Sequence, residues 1–292
     1  MGEGPENPDL IDFLGQFPGH LFWRAAARVT GALSDVLPPG VDIHSYAALL
    51  ALAGGATRSQ QAIAEMVSIS RTTMTRVAGD LADQGLVERV RNPDDRRSYA
   101  LTRTAEGAAA ARRWRRHAED IEEALTPGFT LAEREDLRAL LLRLAGPQLP
   151  VNTPEPLLES IPFLIARIHA AMHATFLDLL VPVGIEPRHF GALIALQATG
   201  PISQAELARA LGVSGPMIVQ MVDDLEERGL LERRRLTTDR RTQMLHLTDA
   251  AGSTLSRATP MAVGKSERLL ISLSQPETDR LMNLLRRIIT TP

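Results

Sequence analysis

Two blocks of the sequence place short polar side chains at the head of a helix, where they could touch a polyanion. The first is Ser70-Arg71-Thr72-Thr73-Met74-Thr75-Arg76 and the second Ser214-Gly215-Pro216-Met217-Ile218-Val219-Gln220. Serine at the start of each is a favoured N-cap. In the first, Ile69, Met74, Val77 and Leu81 recur at helical spacing and turn inward, leaving Arg71, Thr72, Thr73, Thr75 and Arg76 on the opposite face. Such side chains at a helix N-terminus can reach base edges and phosphates in a major groove. The second block offers Ser214, Gly215, Pro216, Met217 and Gln220, with no arginine before Arg228. Downstream of each lies an Asp-Arg-Arg block, Asp95-Arg96-Arg97 and Asp239-Arg240-Arg241, in a charged turn. The competing reading of these is an ordinary solvated helix face and a turn of compensating surface charges.

Other candidate sites are weaker. The run Arg112-Arg113-Trp114-Arg115-Arg116 resembles a nucleic-acid patch, but Glu119, Asp120, Glu122 and Glu123 follow on the same helix, so intrahelical pairs such as Arg115–Glu119 are favoured. His169 and His173 have the i, i+4 spacing of two metal ligands; no third ligand is identifiable, and a histidine pair near a pocket or interface is the preferred reading. There is no cysteine, which removes disulfides, thiolate metal sites and thiol chemistry. No acid–base, nucleophile or metal set of an enzyme can be assembled, and no cofactor is implied. Lys265 is the one lysine beside many arginines, so an isolated arginine says little. A net charge of −3 argues against coating nucleic acid non-specifically, and requires any DNA contact to come from local patches. With 44% apolar residues, no continuous apolar run of about 18 residues and no signal-like start, the chain reads as globular and cytoplasmic, without a membrane partner.

The elements that position these blocks come from a repeat. Sliding the chain by 144 residues lays Leu37–Leu101 on Val181–Leu245, with about 20 of about 65 positions identical. Each copy opens with an amphipathic helix, His20–Val36 and Ile161–Leu180; in the latter Ile161, Leu164, Ile165, Ile168, Met172, Phe176 and Leu179 form one stripe. A second helix follows, then a short helix capped by Ser59 or Ser203, then the Ser70 or Ser214 helix, which ends before Gly85 or Gly229. A charged hairpin comes next, its first return strand reading one residue shorter than the second, and each half closes with one or two long helices, at about Ala105–Leu125 and Leu131–Leu144, then about Ala250–Leu273 and Pro276–Ile289. Between the halves, Gly146–Pro156 holds four prolines, which predicts a stiff, helix-free connector. The predicted domains are 1–146, a linker at 147–158, and 159–292.

Helix, short helix, capped helix and charged hairpin is the winged helix-turn-helix order. With Ser-Gln-x-x-(Ile/Leu)-Ala, then Leu-x-x-x-Gly-Leu-(Val/Leu)-Glu-Arg at Leu81–Arg89 and Leu225–Arg233, then the Asp-Arg-Arg block, the chain resembles the MarR family of bacterial regulators, twice over. The resemblance implies a mainly α fold with small β-hairpin wings, two winged helix-turn-helix domains in tandem, and an intramolecular pseudo-dimer with a helical interface. It implies double-stranded operator DNA as partner, an imperfect palindrome as site, repression as the role, and a monomer with an internal pseudo-two-fold. It assigns Arg96 and Arg240 to the minor groove, and Arg97 and Arg241 to bracing with Asp95 and Asp239. The family commonly has an acid two residues before the reading-helix leucine; Asp223 fits, whereas the first half has Gly79. Relatives often respond to phenolic or carboxylate ligands. An aromatic carboxylate is expected beside Trp23, Arg24, His44 and Tyr46, with Arg167, Ile168, Arg188 and Phe190 as the second-half counterparts. The alternative is a repurposed helix-turn-helix that senses a small molecule or binds a protein without touching DNA.

Overall fold

The computed structural model describes residues 13–36, 43–92, 99–235 and 243–290. About 74% is helical, with two small antiparallel sheets. The first copy comprises α1 (Pro18–Val36), α2 (Ile43–Ala51), β1 (Thr57–Ser59), α3 (Gln60–Val67), α4 (Arg71–Asp83), β2 (Val87–Arg91), β3 (Tyr99–Arg103), α5 (Ala105–Leu125) and α6 (Leu131–Ala145). A short helix, α7 (Glu155–Leu158), precedes the second copy: α8 (Ile161–Leu180), α9 (Pro187–Thr199), β4 (Ile202–Ser203), α10 (Gln204–Leu211), α11 (Gly215–Glu227), β5 (Leu231–Arg235), β6 (Gln243–Leu247), α12 (Asp249–Leu269) and α13 (Gln275–Thr290). The protein is thus mainly α, with two winged helix-turn-helix modules in tandem.

The described residues form two compact units. One contains residues up to Arg24 together with Ala171–Arg286; the other contains Ala25–Ala170 and the residues from Arg287. In the unit holding the first module, α2 packs on α3, α4, α5 and α7. Its core is Leu49, Ile63, Met66, Met74, Val77, Leu81, Leu86 and Leu101, all buried. In the unit holding the second module, α9 packs on α10, α11, α12 and β6, burying Leu193, Leu207, Leu211, Ile218, Met221 and Leu225. The opening segment is part of that unit: Phe176 lies 3.8 Å from where a side chain on Gly19 would begin, and Arg286 donates to the Gly15 carbonyl at 2.9 Å.

Two sequence expectations need correction. The proline-rich connector is not free of helix, since Glu155–Leu158 makes one turn and Leu157 is buried in the first module's core. Pro156 lies in the first turn, where a backbone N–H has no helical partner to lose, so proline is tolerated. The paired strands of the two wings also match in length. Val87–Arg91 pairs with Arg103–Tyr99, and Leu231–Arg235 with Leu247–Gln243, in the same register. The first return strand runs on to Arg103, which pairs with Val87 and whose guanidinium donates to the Leu49 carbonyl at 3.2 Å. Over Ile161–Val183 the chain is long and apolar enough to cross a membrane by length and composition. Within it Ile161, Leu164, Ile165, Ile168 and Met172 are buried in the protein.

Candidate nucleic-acid interface

Local chemistry starts the helices of each helix-turn-helix. Ser59 accepts from the Ala62 amide at 3.1 Å and caps α3; Ser70 accepts from the Thr73 amide at 3.1 Å and caps α4. In the second copy Ser203 and Glu206 form a reciprocal capping box, and Ser214 accepts from the Met217 amide at 3.4 Å. Ser70 and Ser214 are therefore engaged as caps. The glycines ending both helices, Gly85 and Gly229, each have φ 68°, a left-handed conformation that closes the helix at little steric cost. Leu86 and Leu230 then fold back under Leu81 and Leu225, their amides bonding those carbonyls.

On α4, Met74, Val77, Ala78 and Leu81 are buried while Arg71, Thr72, Thr75 and Arg76 face solvent. Arg71 donates to Gln61 at 3.1 Å, Thr75 back-bonds to the Arg71 carbonyl at 2.9 Å, and the Thr73 hydroxyl lies 2.8 Å from that of Ser70. Arg76 pairs with Asp80 at 2.9 Å, with both side chains about half exposed, so the pair is weak and easily exchanged for a phosphate or base. Arg89 is exposed on β2, and Arg91 stacks 5.7 Å from the Tyr99 ring on β3. Beyond that point Arg96, Arg97, Arg240 and Arg241, with Asp95 and Asp239, lie outside the described residues.

The equivalent surface of α11 is different. Gly215, Pro216, Met217, Val219 and Gln220 are exposed over a buried Ile218, Met221, Val222 and Leu225. Its acids are held from behind. Arg233 of β5 donates to Asp223 at 2.5 Å and also to Glu226, bracing the wing on the helix. Arg188 of α9 donates to Asp224 at 3.1 Å and lies 2.9 Å from Glu186. Beneath it His189 is fully buried. Its Nδ1 accepts from the Glu186 amide at 3.3 Å, leaving Nε2 3.7 Å from Asp224. Burial, then the Arg188 charge, pushes the His189 pKa down, so the ring is held neutral. Asp223 and Arg233 were only half legible: the acid stands in a motif, but its partner is ten residues away across a turn.

The predicted ligand residues fall in different units. Trp23 stacks edge-on against His20 at 6.0 Å and Arg24 donates to the Ala210 carbonyl at 3.1 Å, all within the unit of the second module. His44, half buried, and Tyr46, packed edge-on against Trp114 at 6.5 Å, belong to the unit of the first. So does Arg167, whose guanidinium donates to the carbonyls of Glu65, Met66 and Gln148 and to the Ser68 hydroxyl. Arg188 is part of the α11 brace, and Ile168 is core. Among the described residues no three histidine, aspartate or glutamate side chains gather as a metal site.

One feature had no signal in the sequence. Ser68 and Gly212 end α3 and α10 in the left-handed conformation, with φ 57° and 66°. Over each lies an arginine from an opening helix, Arg167 over the first and Arg24 over the second. A cation at a helix C-terminus satisfies carbonyls that have no intrahelical donor and complements the helix dipole. The 144-residue shift hides the equivalence, since it lays Arg24 on Ile168.

The MarR family model matches this chain at residues 40–98 and again at 183–242. Solved structures of similar sequence include the transcriptional repressor CouR bound to a 23-mer DNA duplex, 35% identical over 42% of this chain and 87% of that one, with a TM-score of 0.40. A probable transcriptional regulator from Pseudomonas aeruginosa is 28% identical over 43% of this chain and 93% of that one, with a TM-score of 0.41. The PcaV transcriptional regulator from Streptomyces coelicolor, in complex with its natural ligand, is 25% identical over 43% and 89%, with a TM-score of 0.41.

Proposed function

Since the chain belongs to the MarR family, a family of transcription regulators and not of enzymes, and carries its module twice, we propose that it binds an imperfectly palindromic operator with both modules of one chain. The observation that carries this reading is the pair of serine-capped helices, α4 and α11, each with an exposed face beside an antiparallel wing. The role is repression, exerted in the cytoplasm by a monomer, because the duplication supplies in one chain what two subunits otherwise bring. An aromatic carboxylate is the proposed effector. Trp23 and Arg24 beside the buried His20 support it, offering one apolar and one charged end.

The test is protection of DNA upstream of the chain's own gene by the full-length protein. Expected is a protected stretch with two unequal half-sites, bound by one chain in light scattering. The salt slope should steepen by about 0.9 per phosphate neutralised and flatten in Arg96→Ala and Arg240→Ala. No protection, or a slope unmoved by both substitutions together, overturns DNA reading by the wings. Benzoate that neither binds by calorimetry nor releases the DNA removes the effector.

A further inference from the structure

We propose that the two reading helices recognise their half-sites by different chemistry: α4 through arginine contacts to guanine, and α11 through Met217 and Val219 against thymine methyl groups, with Gln220 on the paired adenine. The proposal rests on the reading above that both helices enter the major groove.

The two helices present equivalent surfaces, because the same serine cap and the same buried set fix their rotation. Met74, Val77, Ala78 and Leu81 of α4 occupy the places of Ile218, Met221, Val222 and Leu225 of α11, all buried. The solvent faces therefore correspond residue by residue, and there they have diverged. Arg71 is matched by Gly215, Thr72 by Pro216, Thr73 by Met217, Thr75 by Val219 and Arg76 by Gln220. Met217 and Val219 are 45% and 44% exposed, among the few large apolar side chains left in water. They lie on the face that the core does not use, so their apolar area is covered only when something binds.

Charge selects what that something is. From Gly215 to Val222 the helix carries no ionised side chain. The four acids that follow are Asp223, Asp224, Glu226 and Glu227; Arg233 holds the first and third, and Arg188 the second. The groove-facing end is thus neutral and apolar while the acids behind it are largely compensated. A thymine presents a 5-methyl group in the major groove, and its adenine presents N6 and N7, the pair that a glutamine amide matches in bidentate fashion. Apolar and amide side chains therefore suit A·T pairs, whereas Arg71 and Arg76 suit the O6 and N7 of guanine. A homodimer with identical helices imposes a symmetric site; fusion in one chain lifts that constraint.

The experiment uses the full chain and its protected DNA fragment. Each thymine in turn is replaced by deoxyuridine, which removes the methyl group alone, and each guanine by 7-deazaguanine, which removes N7. Affinity is read by fluorescence anisotropy. Deoxyuridine should weaken binding about fourfold per contacted methyl in one half-site only. The Met217→Ala/Val219→Ala variant should be insensitive to that replacement while keeping the wild-type circular dichroism and melting temperature. In the other half-site 7-deazaguanine should weaken the wild type and leave Arg71→Ala/Arg76→Ala unmoved. Equal deoxyuridine effects in both half-sites, no effect in either, or an effect that persists in the apolar double variant overturns the division; the apolar face would then serve a protein surface. A chain that protects no DNA at all sinks the regulator reading and this one with it, whereas the deoxyuridine pattern judges the division alone.

Discussion

Replacing Arg167 by alanine removes a side chain that ties an opening helix to the base of a reading module. Its guanidinium donates to the carbonyls of Glu65, Met66 and Gln148 and to the Ser68 hydroxyl, the last at 2.7 Å. Glu65 and Met66 belong to the last turn of α3, whose carbonyls have no donor within the helix. Hydrogen bonds from a charged donor contribute roughly 1.5–3 kcal/mol each when well shielded. Arg167 is only half buried, so about 1 kcal/mol for each of the better bonds is the appropriate scale, with about 0.5 kcal/mol from the helix dipole. The expected loss is about 2–3 kcal/mol. Arg24 donates likewise to the Ala210 carbonyl in the last turn of α10, at 3.1 Å, so Arg24→Ala should cost at least about 1 kcal/mol. Hydrogen exchange at the amides of 65–69, read against urea denaturation of the full chain, measures both the local and the global effect. Faster exchange is expected there in Arg167→Ala, and Arg167→Lys should recover only part of it, because an ammonium keeps the charge but not the planar fork. A change below about 0.5 kcal/mol in Arg167→Ala refutes the reasoning.

Three further outcomes follow from the same geometry. His20 is buried, its Nε2 has no hydrogen-bond partner among the described residues, and burial with the nearby Arg24 lowers its pKa from 6.5 to about 3. Below pH 6.5 the unfolded chain takes up a proton that the folded chain refuses, so stability should fall as pH drops from about 6.5 towards 3, by the order of a few kcal/mol in total. His20→Phe should flatten that part of the pH–stability curve, and an unchanged slope would remove His20 as its source. Glu133 accepts from Arg287 at 2.5 Å and from its own cap at Thr130, which holds its pKa near 2 instead of 4.5. Its contribution is present above pH 4.5 and lost as pH falls through about 2; carboxyl carbon NMR should place the midpoint there, and Arg287→Ala should move it up. Gly107 in the first turn of α5 leaves no room for a side chain, since a Cβ would lie 2.0 Å from the Leu86 carbonyl oxygen. Gly107→Ala should therefore destabilise by about 1–3 kcal/mol in urea despite alanine's better helix propensity, and a gain in stability would contradict the packing.

What could be read from the residues alone was whatever depends on near neighbours in the chain. Serine caps at Ser59, Ser70, Ser203 and Ser214 involve amides three residues on, and Gly85 and Gly229 act on their own turn. The inward stripe of each helix follows from a period of about 3.6 residues, and the duplication from position-by-position identity. These settled the order of elements, the family and the faces of α4 and α11. Even the linker misled locally: its prolines permit a helical turn when they fall in the cap and first turn, and Leu157 is drawn into a core whose other members are tens of residues away. Tertiary structure alone decided the rest. It placed Arg24 and Arg167 on the carbonyls of helices 186 and about 100 residues distant, and made His20 an unprotonated core residue. It also set Arg188 and Arg233 against the acids of α11. The physical reason is that a hydrogen-bond partner supplied by another element has no periodic or local trace; an arginine in a helix looks the same in sequence whether its guanidinium meets water, a phosphate or the orphan carbonyls of a distant helix end.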